Sequence, residues 1–225
     1  MLHTDLLIGA AGWENENWVG GFYPEDLPED WRFGYYTNRL RSVLVPAAVW
    51  NTADTEPLVT TMLEDLYPEF RMVLEWELTG KEDDLAVTQE FLEKSRPVDA
   101  NVDAYLVKVP GMATESALQG IDLLQQQHPV CLKIPGARID EKYLAIDEAS
   151  LCWMTDSQVQ PVSRGQFLVA LSGNSEPREI REIIEKIDAW PEGRPSVQGA
   201  ALFFINDKAA ETAFQARTIA ELMGV

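Results

Sequence analysis

The sequence has little of what most catalytic and metal-binding sites are built from. His3 and His128 are its two histidines and Cys131 and Cys152 its two cysteines, in a chain of 225 residues. With so few imidazoles, a Ser-His-Asp triad or a histidine-based metal centre lacks raw material, and no metal is expected. The cysteines have no Cys-x-x-Cys spacing, which argues against a zinc site and a disulfide framework. Each lies in an apolar run, where a reduced, buried thiol is the ordinary state. Positive charge is also scarce. Eighteen Lys and Arg stand against 37 Asp and Glu, for a formal net charge of −19. A field of that sign repels phosphate backbones and anionic lipid, so neither nucleic acid nor a membrane is an expected partner. Its simplest consequence is solubility. No apolar run approaches the roughly 18 residues that a membrane span needs. The first residues show neither the basic region nor the apolar core of a leader, so the expected location is the cytoplasm. The Gly-x-Gly-x-x-Gly and Gly-x-x-x-x-Gly-Lys phosphate loops are missing too, and no cofactor is implied.

What is present is apolar and periodic. Hydrophobic residues make up 46% of the chain, enough for a sizeable core in a single domain over 1–225. Eight short apolar segments recur, at 6–10, 42–48, 71–78, 105–109, 130–134, 151–155, 167–171 and 200–205. Several are continuous apolar runs rather than alternations, the pattern of parallel strands covered on both faces. Helical stretches are expected between them, at 28–40, 57–66, 84–94, 115–127, 140–146, 179–189 and 209–223. In the sixth of these, Ile180, Ile183, Ile184 and Ile187 share one face. Eight strands alternating with helices predict an α/β fold of the (β/α)8 TIM-barrel type, with a closed parallel sheet. The link at 156–166 reads as a loop, so one outer helix is expected to be missing there.

The opening of the chain sharpens this expectation. Leu7-Ile8-Gly9-Ala10-Ala11-Gly12-Trp13 runs into Trp18-Val19-Gly20-Gly21-Phe22-Tyr23-Pro24. It resembles the start of the YecE-like family, a TIM-barrel domain of unknown function, whose members begin Ile-Gly-Thr-Ser-Gly-Trp and continue Trp-x-Gly-x-Phe-Tyr-Pro. Asp26-Leu27-Pro28 and Tyr35-Tyr36 resemble the family's next helix, and Phe203-Phe204-Ile205-Asn206-Asp207 its last strand. Set against that family, the chain departs at the carboxyl ends of its strands. The family's polar second strand is replaced by Val43-Leu44-Val45-Pro46-Ala47-Ala48-Val49-Trp50. Glu75 falls where the family has Lys, Lys108 where it has Gln, and Lys133 where it has Glu. Ala170 and Ser172 replace an Arg and a His, and Asn206 alone remains of an Asn pair. The resemblance therefore implies the family's scaffold with most of its polar site residues gone.

Glu75, Lys108 and Lys133 form the sharpest candidate site. Alternation puts Arg71, Val73, Glu75 and Glu77 on one face of the third strand, and the apolar opposite face suits the outer helices. Glu75 and Glu77 should then point into the barrel or its mouth, beside lysines near the ends of the next two strands. A Lys beside a carboxylate can serve as base, nucleophile or anion anchor. It can also be a structural ion pair, because an unpaired buried charge costs roughly 3–5 kcal/mol. Trp13, with Trp18, Phe22 and Tyr23, could form an aromatic wall for a ligand or pack as a plug. Asp156 ends the sixth strand, where it could act as an acid or cap a loop. Ser172 and Asn206 complete the set of ligand-binding candidates.

Three functional readings follow. The first is a divergent member whose ancestral site has lapsed, acting as a binding or regulatory protein for a small anionic metabolite. The second is an enzyme with a rebuilt site, in which Glu75 and Lys108 or Lys133 work as an acid/base pair on a phosphorylated or carboxylated metabolite. The third is a scaffold whose aromatic loop, 13–23, docks a protein partner of unknown kind.

Overall fold

The computed structural model describes residues 6–52, 55–136, 140–156, 165–191 and 196–225. Its strands are β1 (Leu6–Ala11), β2 (Ser42–Val45), β3 (Arg71–Glu77), β4 (Val102–Lys108), β5 (Val130–Lys133), β6 (Ser150–Leu151), β7 (Trp153–Met154), β8 (Phe167–Ser172) and β9 (Gly199–Phe204). They form one nine-stranded sheet in the order β6-β5-β4-β3-β2-β1-β9-β8-β7, with every pairing parallel. Eight strand positions were expected and eight are occupied, because β6 and β7 are two halves of the sixth. The sheet is nearly closed through that split strand. β6 pairs with β5 and β7 with β8, on either side of Cys152, whose N–H donates to Leu132 O at 2.8 Å. The chain is a (β/α)8-like TIM barrel.

The helices are α1 (Arg32–Thr37), α2 (Ala47–Trp50), α3 (Glu56–Asp65), α4 (Asp84–Ser95), α5 (Glu115–Gln125), α6 (Glu141–Leu144), α7 (Pro177–Ala189) and α8 (Ala209–Met223). The expected isoleucine face of α7 is buried at Ile180, Ile183, Ile184 and Ile187. The second strand ends at Val45, short of the expected 48. Pro46 has no N–H to continue the ladder, and the chain turns at once into the single turn of α2. The fourth strand starts earlier than expected, at Val102, because a register shift beside Met72 and Val73 lets the additional residues pair. The helix expected over 28–40 is a 3-10 turn, Glu29–Trp31, followed by α1. The outer helix expected to be missing after strand six falls mostly on 157–164, outside the described residues.

Alternation along the strands sorts the core into two layers. Leu44, Val73, Leu106, Cys131, Val169, Leu171 and Phe203 fill the barrel interior. Met72, Leu74, Trp76, Leu168 and Leu202 face the helices, where the Trp76 ring stacks on Phe91 of α4 at 4.5 Å. Gly9 allows the first two strands to approach, since a Cβ there would lie 2.1 Å from Ser42 O. Tyr36 joins the same strands. Its hydroxyl accepts from Ala10 N–H and donates to Ser42 O, both at 2.9 Å. Burial pushes that phenol well above its ordinary pKa, so it stays a neutral linker.

Candidate functional site

Strand ends place the three sharpest candidates together. Lys108 is the last residue of β4 and Lys133 the last of β5, and the two are partners in register. Ammonium groups on directly opposed residues repel one another. Glu75, on the neighbouring strand and the same interior face, lies between them. Its Oε2 is 3.1 Å from Lys108 Nζ, and its Oε1 is 3.8 Å from Lys133 Nζ. The carboxylate is buried, at 8% exposure. The lysine side chains retain 35% and 33% of theirs, so the amines stand between the carboxylate and solvent. Glu75 Oε2 also accepts from Ala47 N–H at 3.3 Å, at the start of α2. The one-turn helix that cut the second strand short thus supplies a backbone donor where the side chains are apolar. Ala47 escaped sequence reasoning because a backbone N–H leaves no mark on residue type.

Below this cluster the barrel is apolar, with Val73, Leu106 and Cys131 facing inward. Burial and the neighbouring Cys152 hold the Cys131 thiol well above its ordinary pKa, which keeps it protonated and a poor nucleophile. Glu77 ends β3 opposite Lys108 in register and is exposed, with no ion pair among the described residues.

The other candidates go elsewhere. Trp13 is 3% exposed and packs edge-on against Phe33 at 4.9 Å, while its carbonyl accepts from the Tyr23 hydroxyl at 2.5 Å. Trp18, Phe22 and Tyr23 are buried beside it. The four rings form the plug, not the wall, and a docking loop displaying them has no exposed aromatic face to offer. The edge-to-face geometry explains why: each ring's polarised edge meets a neighbour's face, which water would serve less well. Ser172 shares the outward-facing side of β8 with Leu168 and Ala170, and its buried Oγ accepts from Asn174 N–H. It points away from the interior. Asn206 donates to Gly173 O at 3.2 Å and accepts from Lys208 N–H at 2.9 Å, a loop-capping pattern. Asp156 is exposed at the end of the sixth strand, near Gly173. The candidates therefore fall into two groups on the carboxyl rim. Glu75, Lys108 and Lys133 are joined on the third to fifth strands, while Asp156 and Asn206 lie around Gly173.

Among the described residues, no three His, Cys, Asp or Glu side chains are grouped to hold a metal ion. No described helix is long and apolar enough to cross a membrane.

A nearly closed parallel sheet ringed by helices defines a TIM-barrel protein, and the charged cluster lies at the carboxyl ends of its strands. The family can be stated as well. The model for the protein of unknown function DUF72 matches residues 7–225, and the chain belongs to that family, the YecE-like proteins. A solved DUF72 family protein from Enterococcus faecalis V583 is similar over 100% of both chains, at 12% identity and a TM-score of 0.65. A D-psicose 3-epimerase from Clostridium cellulolyticum H10, solved with D-tagatose, is similar over 88% of this chain and 93% of its own, at 8% identity and a TM-score of 0.53. Pseudomonas stutzeri endoglucanase Cel5A is similar over 96% and 93%, at 10% identity and a TM-score of 0.52. Likenesses at such identities establish the fold alone. No curated protein matches the sequence.

Proposed function

We propose that this DUF72 protein binds a small anion, a carboxylate or a phosphate, at the carboxyl mouth of its barrel through Lys108 and Lys133. One observation carries the reading: two ammonium groups share one buried carboxylate. Glu75 neutralises one of them and leaves a positive charge on side chains 35% and 33% exposed to solvent, in a chain of net charge −19. A bound anion fits both the sign of that charge and its place over an apolar floor. In this reading Glu75 holds the two amines at a fixed separation, Ala47 N–H fixes Glu75, and Glu77 on the rim limits how much negative charge the ligand brings.

An acid/base enzyme would need a further group beside the lysines. Ser172 turns outward, Asn206 is engaged with backbone, and the Cys131 thiol is held protonated, so the binding reading is the simpler one. Its place would be that of a sensor or carrier of an anionic metabolite.

The test is a thermal-shift titration of the protein with inorganic phosphate, citrate and a sugar phosphate, repeated on Lys108→Met and Lys133→Met. An anion at about 100 times its dissociation constant adds roughly 2.7 kcal/mol, which for a domain of this size raises Tm by about 5–11 °C. Both variants should lose that shift while folding normally. No shift from any of the three anions, or an equal shift in the lysine variants, overturns the reading.

A further inference from the structure

Seven tryptophans occur in the chain, and six of them are at most 5% exposed. Trp31 is the exception at 64%. It stands at the edge of a groove of about 490 Å³ between the 29–31 turn with α1 on one side and α3 on the other. Tyr35 lines the groove with it, and so do three acidic residues, Asp30, Glu64 and Asp65. Among the described residues none of the three has an ion-pair partner or a donor to its carboxylate.

Asp65 is the informative one. Its carboxyl lies directly over Gly34, where a Cβ would be 2.7 Å from Oδ2 and 2.8 Å from both Cγ and Oδ1. The missing side chain at 34 is what lets the acid lie down against α1, half-buried and without a counter-ion. The amino end of the barrel makes the contrast. There a comparably sized groove is also lined by charged and polar groups, but they are matched within it: Arg71 with Asp103, His128 with Asp99, Gln198 with Gln166. The Trp31 groove lacks cations and has one exposed aromatic face. Arg39 has its guanidinium seated on the Tyr35 ring at 4.9 Å and does not line the groove.

We infer that this groove docks a basic segment of a partner protein, with an arginine or lysine side chain lying across the Trp31 indole and its charge among Asp30, Glu64 and Asp65. Indole is the aromatic face that cations prefer, and tryptophan is enriched among the residues that dominate protein–protein binding. Carboxylates at the rim add steering and register. The groove's open form suits a side chain on an extended backbone.

The experiment follows the tryptophan indole N–H signals of the full chain by two-dimensional NMR, with Trp31 assigned by its loss in Trp31→Ala. Acetylated, amidated tri-arginine is titrated first, then spermidine, which matches its charge without a peptide backbone. The expected result is a saturable shift of the Trp31 signal with tri-arginine and weaker binding of spermidine. Asp30→Asn/Glu64→Gln/Asp65→Asn should weaken the peptide about tenfold or more, as should Trp31→Ala followed on the backbone amides of α1. A remote triple variant, Glu115→Gln/Asp122→Asn/Glu141→Gln, lowers net charge equally and should change affinity little. An unmoved Trp31 signal overturns the proposal, and so does an equal loss in the remote variant, which would assign the binding to overall charge. Spermidine binding as tightly as the peptide would also overturn it, because the groove would then be a site for free polyamines.

Discussion

The two ends of the barrel use the same kinds of residue in opposite ways. At the amino end, charges and amides meet one to one: Arg71 Nε donates to Asp103 at 2.9 Å, His128 Nε2 lies 2.8 Å from Asp99, and Gln198 donates to Gln166 at 2.7 Å. At the carboxyl end, Lys108 and Lys133 converge on the single carboxylate of Glu75. A matched set of charges explains itself as structure, since each partner removes the other's cost. An unmatched set does not, and the imbalance sits at the face where TIM barrels bind their ligands. The difference teaches that function is better sought where charges fail to cancel than where they are merely numerous.

Mutations can break or sharpen that comparison. The largest effect is expected from Glu75→Gln, which leaves two opposed ammonium groups with no carboxylate. Removing one member of a buried pair costs roughly 3–5 kcal/mol, and the lysines' partial exposure lowers this to about 3 kcal/mol. Urea denaturation should show the loss at unchanged slope. A loss below about 1 kcal/mol would mean that solvent already screens the lysines, and the contrast between the ends would collapse. Restoring much of that stability in Glu75→Gln/Lys133→Met would measure the coupling directly.

Next comes Lys108→Met. Glu75 keeps Lys133 and Ala47 N–H, so stability should change by about 1 kcal/mol or less, while affinity for the responding anion falls at least about tenfold. Calorimetric titration would separate the two effects. Arg71→Met, at the matched end, should cost about 1 kcal/mol and leave anion binding unchanged, because the guanidinium also holds Ala100 O. The smallest effect is expected from His128→Gln. It should lower stability by no more than about 0.5 kcal/mol, since its Asp99 partner is half exposed, and anion binding should not move. An anion response that changed in either amino-end variant would show the ends to be coupled through the barrel interior.

The aromatic loop and the groove beside it extend the lesson to the surface. Trp13, Trp18, Phe22 and Tyr23 drew attention in the sequence by their density, yet they are buried inside the fold against aromatic neighbours. Trp31, in the undistinguished stretch Glu29-Asp30-Trp31, carries the exposed ring. Residue type is visible in a sequence, but exposure depends on which neighbours arrive to cover the side chain.

Much of the architecture was nonetheless legible from the residues. Continuous apolar runs separated by helical stretches dictated a parallel sheet, and the alternation around Glu75 put it in the interior, because strand geometry fixes side-chain direction from local sequence alone. The nearness of Glu75 to Lys108 also followed, since consecutive strands of a βα barrel are neighbours, and Lys133 stands one strand further on, in register with Lys108. Other features needed the folded chain. Ala47 N–H reaches Glu75 only because Pro46 ends β2 and starts a helical turn. The sixth strand splits at Cys152 because its two halves must pair with different neighbours as the sheet closes. Asp65 lies on Gly34 through a contact between residues far apart in the chain. The sequence by itself determined the elements, their order and the inward face of each strand, for these rest on local periodicity. Tertiary structure alone decided which charges cancel and which remain open, because that balance is set by distances between segments that meet only when the barrel closes.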